Sequence, residues 1–263
     1  LNVEGYHVLK AETGEEGLLL LKEHQVEMVV LDWMLPDISG IEICRQIRAN
    51  KSTINLPIIM LTARGEEEDK IKGLNMKKIV VIDNYDSFTF NLVHYLEDLD
   101  CEVAVLRNDK FDLDDIGDFD KILLSPGPGI PQEAGLLNAV IKRYASTKSI
   151  LGVCLGQQAI GVVFGGQLVN LEEVYHGVHT DITVIVKDEI LFDQLGPTLQ
   201  VGRYHSWVVD ANLPDVLEAT SIDNNGQVMS LRHKIYDVKG VQFHPESVLT
   251  PLGKQLLKNW INS

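Results

Sequence analysis

Short apolar runs alternate with helix-like segments along this chain, and no other feature limits the possible folds as strongly. In the first quarter, residues 26–32 and 56–63 are apolar runs, while residues 12–24 and 39–50 carry helical spacing. Regular alternation of this kind is typical of a parallel sheet covered by helices. We therefore predict an α/β fold for the chain.

The alternation begins again at Met76. There "MKKIVVID" reads as a strand, and residues 87–99 follow as a helix in which Ser87 is the candidate N-cap. No stretch rich in Pro, Gly or Ser separates this restart from the residues before it. We predict two units, residues 1–75 and residues 76–263, joined without a flexible linker.

Composition argues against several classes of protein. The formal net charge is −15 and both units are acidic, which disfavours nucleic-acid binding. No apolar run in the sequence reaches the roughly 18 residues that a membrane span requires. Cys44, Cys101 and Cys154 are too scattered for a disulfide framework or a zinc site. We expect a cytoplasmic protein with no membrane segment and no metal of its own.

Two stretches of the first unit, "VVLDWMLPDISGIEICRQIR" and "LPIIMLTARGEEEDKIKGL", resemble the receiver domain of response regulators. The resemblance places Asp32 at the phosphoacceptor position and Thr62 at the position of the switch hydroxyl. It covers only the middle of that domain, without the strand that carries the magnesium-binding acidic pair or the strand that carries the lysine.

Phosphoryl transfer to a carboxylate requires both the metal and the lysine to offset charge. We therefore expect an incomplete flavodoxin-like fragment in which Asp32 and Thr62 are vestigial, and no phosphorylation of Asp32. An artificial chimera is favoured over a natural fusion with receiver-type signalling, and both stay open from the sequence.

The stretch "LGVCLGQQ" in the second unit places a cysteine between a predicted strand and a predicted helix. Gly152, Cys154 and Gly156 form the pattern Gly-x-Cys-x-Gly, the cysteine version of a strand–turn–helix nucleophile elbow. Glycines are needed there because the turn is crowded and strained. The helix N-terminus favours a thiolate. A buried structural cysteine is the alternative interpretation of this residue alone.

Two further stretches supply what a cysteine nucleophile requires. In "GVQFHPESV" a strand ends near His244, the candidate base, and Glu246 is the candidate group that orients it. In "LLSPGPGIP" a strand runs into a rigid loop whose backbone N–H of Gly129 can form half of an oxyanion hole. The N–H of Leu155 supplies the other half. An ordinary tight turn is the alternative for this loop.

The second unit resembles the class I, triad-type, glutamine amidotransferases, on "DNYDSFTFNL", "SPGPGIP", "GVCLGQQAI", "GRYHSWVV" and "QFHPES". This resemblance implies a mixed flavodoxin-like sheet with flanking helices, and a Cys154–His244–Glu246 triad that hydrolyses glutamine through a thioester. It also implies the glutamine-binding residues Gly127, Pro128, Gly129, Gln158, Ser206 and Trp207.

Within that family the unit is most similar to the small subunits of anthranilate synthase and of aminodeoxychorismate synthase. The resemblance implies a partner, a large subunit that binds chorismate and Mg²⁺, and no cofactor in this chain. Of these two enzymes, anthranilate synthase is preferred over aminodeoxychorismate synthase. A receiver-regulated signalling fusion and a non-catalytic scaffold are the alternatives from other functional classes. Val178 and His179 stand where relatives commonly have Lys and its neighbour, which leaves coupling to the partner open.

Overall fold

The chain divides into two compact units, Leu1–Asn75 and Met76–Ser263. A computed structural model describes residues 8–24, 26–32, 35, 37–38, 43–44, 46–47, 50, 53, 56–61, 76–171 and 174–263.

Among the described residues of the first unit are a helix and a parallel strand pair, and residues 43–44 and 46–47 are also helical. Helix α1 spans Gly14–Glu23, and the Thr13 side chain caps it by accepting a hydrogen bond from the Glu16 N–H. Strands β1 (Val29–Asp32) and β2 (Ile58–Leu61) pair in parallel. Asp32 lies at the carboxyl end of β1, whereas Thr62 lies outside the described residues. Strands are thus present in both predicted runs; each begins later than its run, and residues 62–63 lie outside the described part of the chain.

The second unit is built on strands and helices that alternate as the sequence indicated. Its strands are β3 (Lys78–Asp83), β4 (Glu102–Arg107), β5 (Lys121–Leu124), β6 (Ser149–Val153), β7 (Leu168–Asn170), β8 (Val178–Val184), β9 (Thr198–Arg203), β10 (Trp207–Val209), β11 (Leu217–Asp223), β12 (Val228–His233) and β13 (Val238–Val241). Its α-helices are α2 (Thr89–Glu97), α3 (Leu137–Tyr144), α4 (Leu155–Val163) and α5 (Gly253–Ile261), with 3₁₀ turns at Leu113–Ile116, Pro131–Glu133 and Ile190–Phe192.

Nine of these strands form one mixed sheet in the order β4-β3-β5-β6-β13-β12-β11-β8-β9. Strands β4, β3, β5, β6 and β13 are parallel, and the others extend the sheet antiparallel. Strands β7 and β10 form a small separate antiparallel pair. The α/β fold class with a mixed sheet and flanking helices is thus confirmed.

Alternate side chains of the parallel strands enter two apolar clusters, one on each face of the sheet. On β3, Ile79 and Val81 belong to the cluster that contains Leu92 of α2 and Trp260 of α5. Their neighbours Val80 and Ile82 belong to the cluster that contains side chains of α3 and α4. Because both faces are covered, the parallel strands read as continuous apolar runs rather than as alternating ones.

The predicted start of helix α2 at Ser87 is wrong. The helix begins at Thr89, its N-cap is Phe88, and no side chain caps it. Two aspartates order the preceding turn instead: Asp86 accepts a hydrogen bond from the Phe88 N–H, and Asp83 accepts one from the Thr89 hydroxyl. Short acidic side chains compete well for backbone N–H groups in turns. The Thr89 N–H, which a Ser87 cap would bind, donates to the Asp86 carbonyl instead.

None of the described helices combines the length and the apolar composition needed to span a bilayer.

Candidate active site

Three neighbouring parallel strands deliver the predicted catalytic groups to one edge of the sheet. Strand β6 pairs with β5 on one side and with β13 on the other. The loop 125–129 follows β5, Cys154 follows β6, and His244 lies three residues after β13. Because parallel strands end at the same edge, all three groups meet there, where α/β proteins bind their ligands.

The turn at Cys154 has the strained geometry of a nucleophile elbow. Cys154 has φ 52° and ψ −101°, a combination that non-glycine residues rarely adopt. A Cβ atom at Gly152 would lie 2.4 Å from the carbonyl carbon of Gly156, and one at Gly156 would lie 2.5 Å from the Leu124 oxygen. The two glycines of the pattern are therefore required by close backbone approach, and the strain is maintained by the packing around it.

His244 and Glu246 form a buried hydrogen-bonded pair. The Nδ1 atom of His244 lies 2.7 Å from Oε1 of Glu246, and the two residues are 2% and 3% exposed. Since a carboxylate oxygen accepts, Nδ1 donates, and this fixes the tautomer of the neutral ring with its free lone pair on Nε2. Among the described residues, Nε2 has no partner at strict hydrogen-bond geometry.

The pKa of His244 is set by burial and by the neighbouring Cys154 and Glu246 side chains. Burial lowers the pKa of His244, but the Cys154 side chain and then the Glu246 carboxylate oppose this effect and raise the pKa well above its ordinary 6.5. The raised pKa favours an imidazolium next to the sulfur. His244 is thus placed to take the thiol proton and to keep it until a leaving group needs it.

The loop after β5 is anchored from the neighbouring strand β3. The N–H of Asn84 donates to the Ser125 hydroxyl at 2.9 Å, and its side-chain amide donates to the Ser125 carbonyl at 2.8 Å. Asn108 in turn donates to the Asn84 side-chain oxygen at 3.0 Å. These buried bonds hold the start of the loop in one place relative to the sheet edge.

The two predicted oxyanion donors are the backbone N–H of Gly129, within this anchored loop, and that of Leu155, directly after Cys154. Gly129 has φ +74°, a conformation that favours glycine, and a Cβ atom at Gly127 would lie 2.7 Å from Leu155 Cδ2. The loop therefore touches the first residue of α4. Within the described residues, neither the Gly129 N–H nor the Leu155 N–H donates a hydrogen bond to the protein. Both donors remain available for a developing negative oxygen.

Of the predicted glutamine-binding residues, Gln158 and Trp207 are brought into direct contact. Gln158 lies one turn after Cys154 in α4, and its amide donates to the Trp207 carbonyl at 2.8 Å. Ser206 precedes Trp207, and its carbonyl accepts from the Leu171 N–H. Pro128 is exposed within the loop, beside the partly exposed Gly127. The segment around 206–207 thus faces the elbow helix across one hydrogen bond.

Aromatic side chains around His244 were not predicted from the sequence. The Tyr204 ring lies edge-on to His244 at 5.0 Å, and Phe88 lies at 5.8 Å. The Tyr204 hydroxyl lies 3.1 Å from the Ser247 hydroxyl, which ties this ring to the segment after Glu246. These rings shield the imidazole from water. Phe88 lies within "DNYDSFTFNL" and Tyr204 within "GRYHSWVV", but these motifs did not indicate that the two rings pack against His244.

The sequence also did not predict the buried ion pair of Arg203, the residue before Tyr204, with Asp223. Arg203 donates to Asp223 at 2.8 Å and to Nε2 of His205 at 3.1 Å, and the Tyr175 ring lies 3.6 Å from its guanidinium carbon. Burial, then Arg203 and His244, lower the pKa of His205 to about 3, so His205 is neutral at ordinary pH. This network fixes the backbone that leads into Trp207.

The departure at Val178 and His179 lies on strand β8, where the two residues pair with Arg203 and Gly202 of β9. Both side chains are exposed. Throughout the described part of the chain, no three His, Cys, Asp or Glu side chains are grouped as a metal site would require.

Comparisons with known proteins match the two ends of the chain to different families. Residues 1–78 match the response regulator receiver domain. The remainder resembles anthranilate synthase component 2 of Pseudomonas aeruginosa, at 46% identity over 70% of this chain and 94% of that protein. It equally resembles aminodeoxychorismate synthase component 2 of Klebsiella aerogenes, at 44% identity over 70% and 99%.

Two further matches are to a much longer protein and to a solved structure with a different described function. The bifunctional protein TrpGD of Thermotoga maritima is 44% identical over 72% of this chain, but the chain spans only a third of that protein's length. The crystal structure of a protein from Thermoplasma acidophilum, described as a GMP synthase component, superposes with a TM-score of 0.65 at 28% identity, covering 71% of this chain and 93% of that one. Residues 80–263 match glutamine amidotransferase class-I, and the chain therefore belongs to that family.

Proposed function

We propose that the second unit is a glutaminase whose nucleophile is Cys154. The observation that carries the proposal is the strained elbow, which sets Cys154 beside the buried His244–Glu246 pair at one sheet edge. A cysteine in such a turn with a base and an orienting carboxylate is the arrangement that covalent acyl transfer requires.

The reaction divides into two halves. The Cys154 sulfur attacks the side-chain carbonyl carbon of glutamine, and the oxygen gains negative charge facing the N–H groups of Gly129 and Leu155. When the C–N bond breaks, His244 gives its proton to the leaving nitrogen, which departs as ammonia. In the second half His244 removes a proton from water, which attacks the thioester and releases glutamate and the thiolate.

The glutamine substrate is proposed to lie between the loop 127–129 and the segment at 206–207. The contact between Gln158 and the Trp207 carbonyl supports this, because it fixes both residues next to the elbow. Backbone groups of Ser206 and Trp207 suit the charged amino-acid end of the substrate, and the loop suits the amide end.

The ammonia is proposed to pass to a large synthase subunit that binds chorismate and Mg²⁺, with no cofactor held by this chain. Free ammonia is largely protonated at neutral pH, so an acceptor must receive it before it equilibrates with water. Component 2 relatives support such a partner. An exposed apolar side chain near the site also suits one: Val248 is 90% exposed and lies two residues after Glu246.

Anthranilate synthase is the preferred partner, with aminodeoxychorismate synthase as the alternative. Relatives of similar identity carry both names, so the choice depends on the partner rather than on the triad. Mixing this chain with each type of large subunit, and measuring which one gains glutamine-dependent product formation, distinguishes them.

The test of the proposal is glutamine hydrolysis with and without a large subunit, in the parent and in Cys154→Ala. We expect the substitution to abolish glutamine-dependent product formation and to preserve product formation from added ammonia. Full glutamine-dependent activity in Cys154→Ala would overturn the proposal.

The first unit is proposed to have no phosphorelay function. The receiver match ends at residue 78 and the amidotransferase match begins at residue 80, which leaves no residues between them for a further receiver strand with its lysine. We expect no magnesium-dependent beryllofluoride complex at Asp32, measured by mass spectrometry or fluorine NMR. A stable complex would support receiver-type regulation of the fused enzyme instead.

A further inference from the structure

Gln242 touches the nucleophilic sulfur, although no role was assigned to it. This residue follows strand β13 and is completely buried, and its side-chain nitrogen lies 3.6 Å from the Cys154 sulfur. We propose that Gln242 is a further catalytic group, which donates a hydrogen bond to the sulfur of Cys154 while that sulfur is negatively charged. The proposal rests on the nucleophilic role proposed for Cys154.

The orientation of the Gln242 amide follows from its neighbours. The Trp207 carbonyl can only accept, so the Gln158 atom 2.8 Å from it is nitrogen. That same nitrogen lies 3.3 Å from the Gln242 side chain, which must therefore present its oxygen there. The remaining atom of the Gln242 amide, the nitrogen donor, then faces the sulfur. A backbone carbonyl thus sets the direction of both amides.

The Gln242 amide lies where a hydrogen bond to a charged sulfur is strong, because the site excludes water. Gln242 is fully buried and Cys154 is 6% exposed, and hydrogen bonds to charged groups are stronger where water is excluded. His244 changes its charge as it passes a proton to ammonia and later takes one from water. The amide of Gln242 keeps its donor through the whole cycle, so it also stabilises the thiolate that leaves when the thioester is hydrolysed.

The same chain of contacts links the sulfur to the substrate. Gln158 is proposed to contact glutamine, and it is also the group that orients Gln242. A substrate that orders Gln158 therefore orders the donor on the nucleophile.

The test is the pH dependence of Cys154 alkylation by iodoacetamide in the full chain, followed on the peptide that contains Cys154. In Gln242→Met, which keeps the length of the side chain but removes the donor, we expect alkylation near neutral pH to slow by about tenfold. The midpoint of the rate profile should move to higher pH, and the rates should converge with the parent at alkaline pH, where the thiol is ionised in both.

Gln157→Met is the matched control. Gln157 is the fully buried amide next to Gln158, and its nitrogen lies 3.5 Å from the Val228 carbonyl rather than near the sulfur. We expect this control to lose stability without moving the alkylation midpoint. If Gln242→Met does not fold, Gln242→Asn, which shortens the amide away from the sulfur, should move the midpoint in the same direction.

A parent-like midpoint in the folded Gln242 variants would overturn the inference. This failure is distinct from failure of the proposed function, which would instead appear as glutamine hydrolysis that persists in Cys154→Ala.

Discussion

Replacing Gly127 by alanine tests the oxyanion loop with a single added methyl group. That Cβ atom would lie 2.5 Å from Cβ of Asn84, 2.7 Å from Cδ2 of Leu155 and 2.9 Å from the Asn84 oxygen, whereas ordinary contacts begin at 3.4 Å. Asn84 is held by hydrogen bonds to Ser125 and Asn108, so it cannot retreat easily. The loop must therefore shift by about 1 Å, and a displacement of that size in a catalytic group costs roughly 100-fold in rate.

The expected result is a fall of about 100- to 1000-fold in kcat for glutamine hydrolysis, the range found when one oxyanion donor is lost. Crowding of the buried site should also lower the free energy of unfolding by about 1–3 kcal/mol. Product formation from added ammonia, measured in the complex with a large subunit, should not change.

Gly17→Ala is the matched control for this substitution. Its added methyl would lie 3.7 Å from Ala11 Cβ, an ordinary contact in helix α1 of the first unit. We expect no effect of this change on glutamine hydrolysis. A folded Gly127→Ala variant with a kcat within a few-fold of the parent would refute the assignment of the loop to the oxyanion.

Two further predictions concern titrating groups. Glu246→Gln removes the carboxylate that helps raise the pKa of His244, so the histidine NMR titration should move to lower pH and kcat for glutamine should fall about 100-fold or more. An unchanged titration would contradict the pairing. His205 has a folded-state pKa of about 3, below the ordinary 6.5, so the unfolded state binds the additional proton between these values. Stability should therefore fall as the pH is lowered through that window, and His205→Gln, which keeps an acceptor for Arg203, should flatten the fall. Urea denaturation at about pH 7 and about pH 4 gives the fall in the free energy of unfolding between these pH values. An equally large fall in His205→Gln would argue against a buried neutral His205.

The sequence was most informative where function imposes a local pattern. Cys154 between two glycines, and His244 two residues before Glu246, can be recognised because the strained elbow and the base–carboxylate pair each lie within a few residues. The α/β fold was equally accessible, because strands buried on both faces produce apolar runs.

Contacts between distant residues could not be predicted in this way. Tyr204 contacts Phe88 and His244, and Arg203 of β9 contacts Asp223 of β11 across the intervening strand β8. No regular spacing in the sequence indicates these contacts. The cap assigned to Ser87 was wrong for a local reason, since the Thr89 N–H donates to the Asp86 carbonyl and the Phe88 N–H to the Asp86 side chain. The direction of the Gln242 amide depends on a carbonyl 35 residues earlier in the chain, and only the fold brings the two together.

The most direct test of the central claim is to capture the thioester on Cys154. The full chain is mixed with glutamine, quenched in acid during turnover and digested, and the peptide containing Cys154 is examined by mass spectrometry. We predict one added γ-glutamyl group on that peptide, absent from Cys154→Ala, and labile to mild base as thioesters are. Steady hydrolysis of glutamine with no adduct on Cys154, or an adduct on a different residue, would contradict the account.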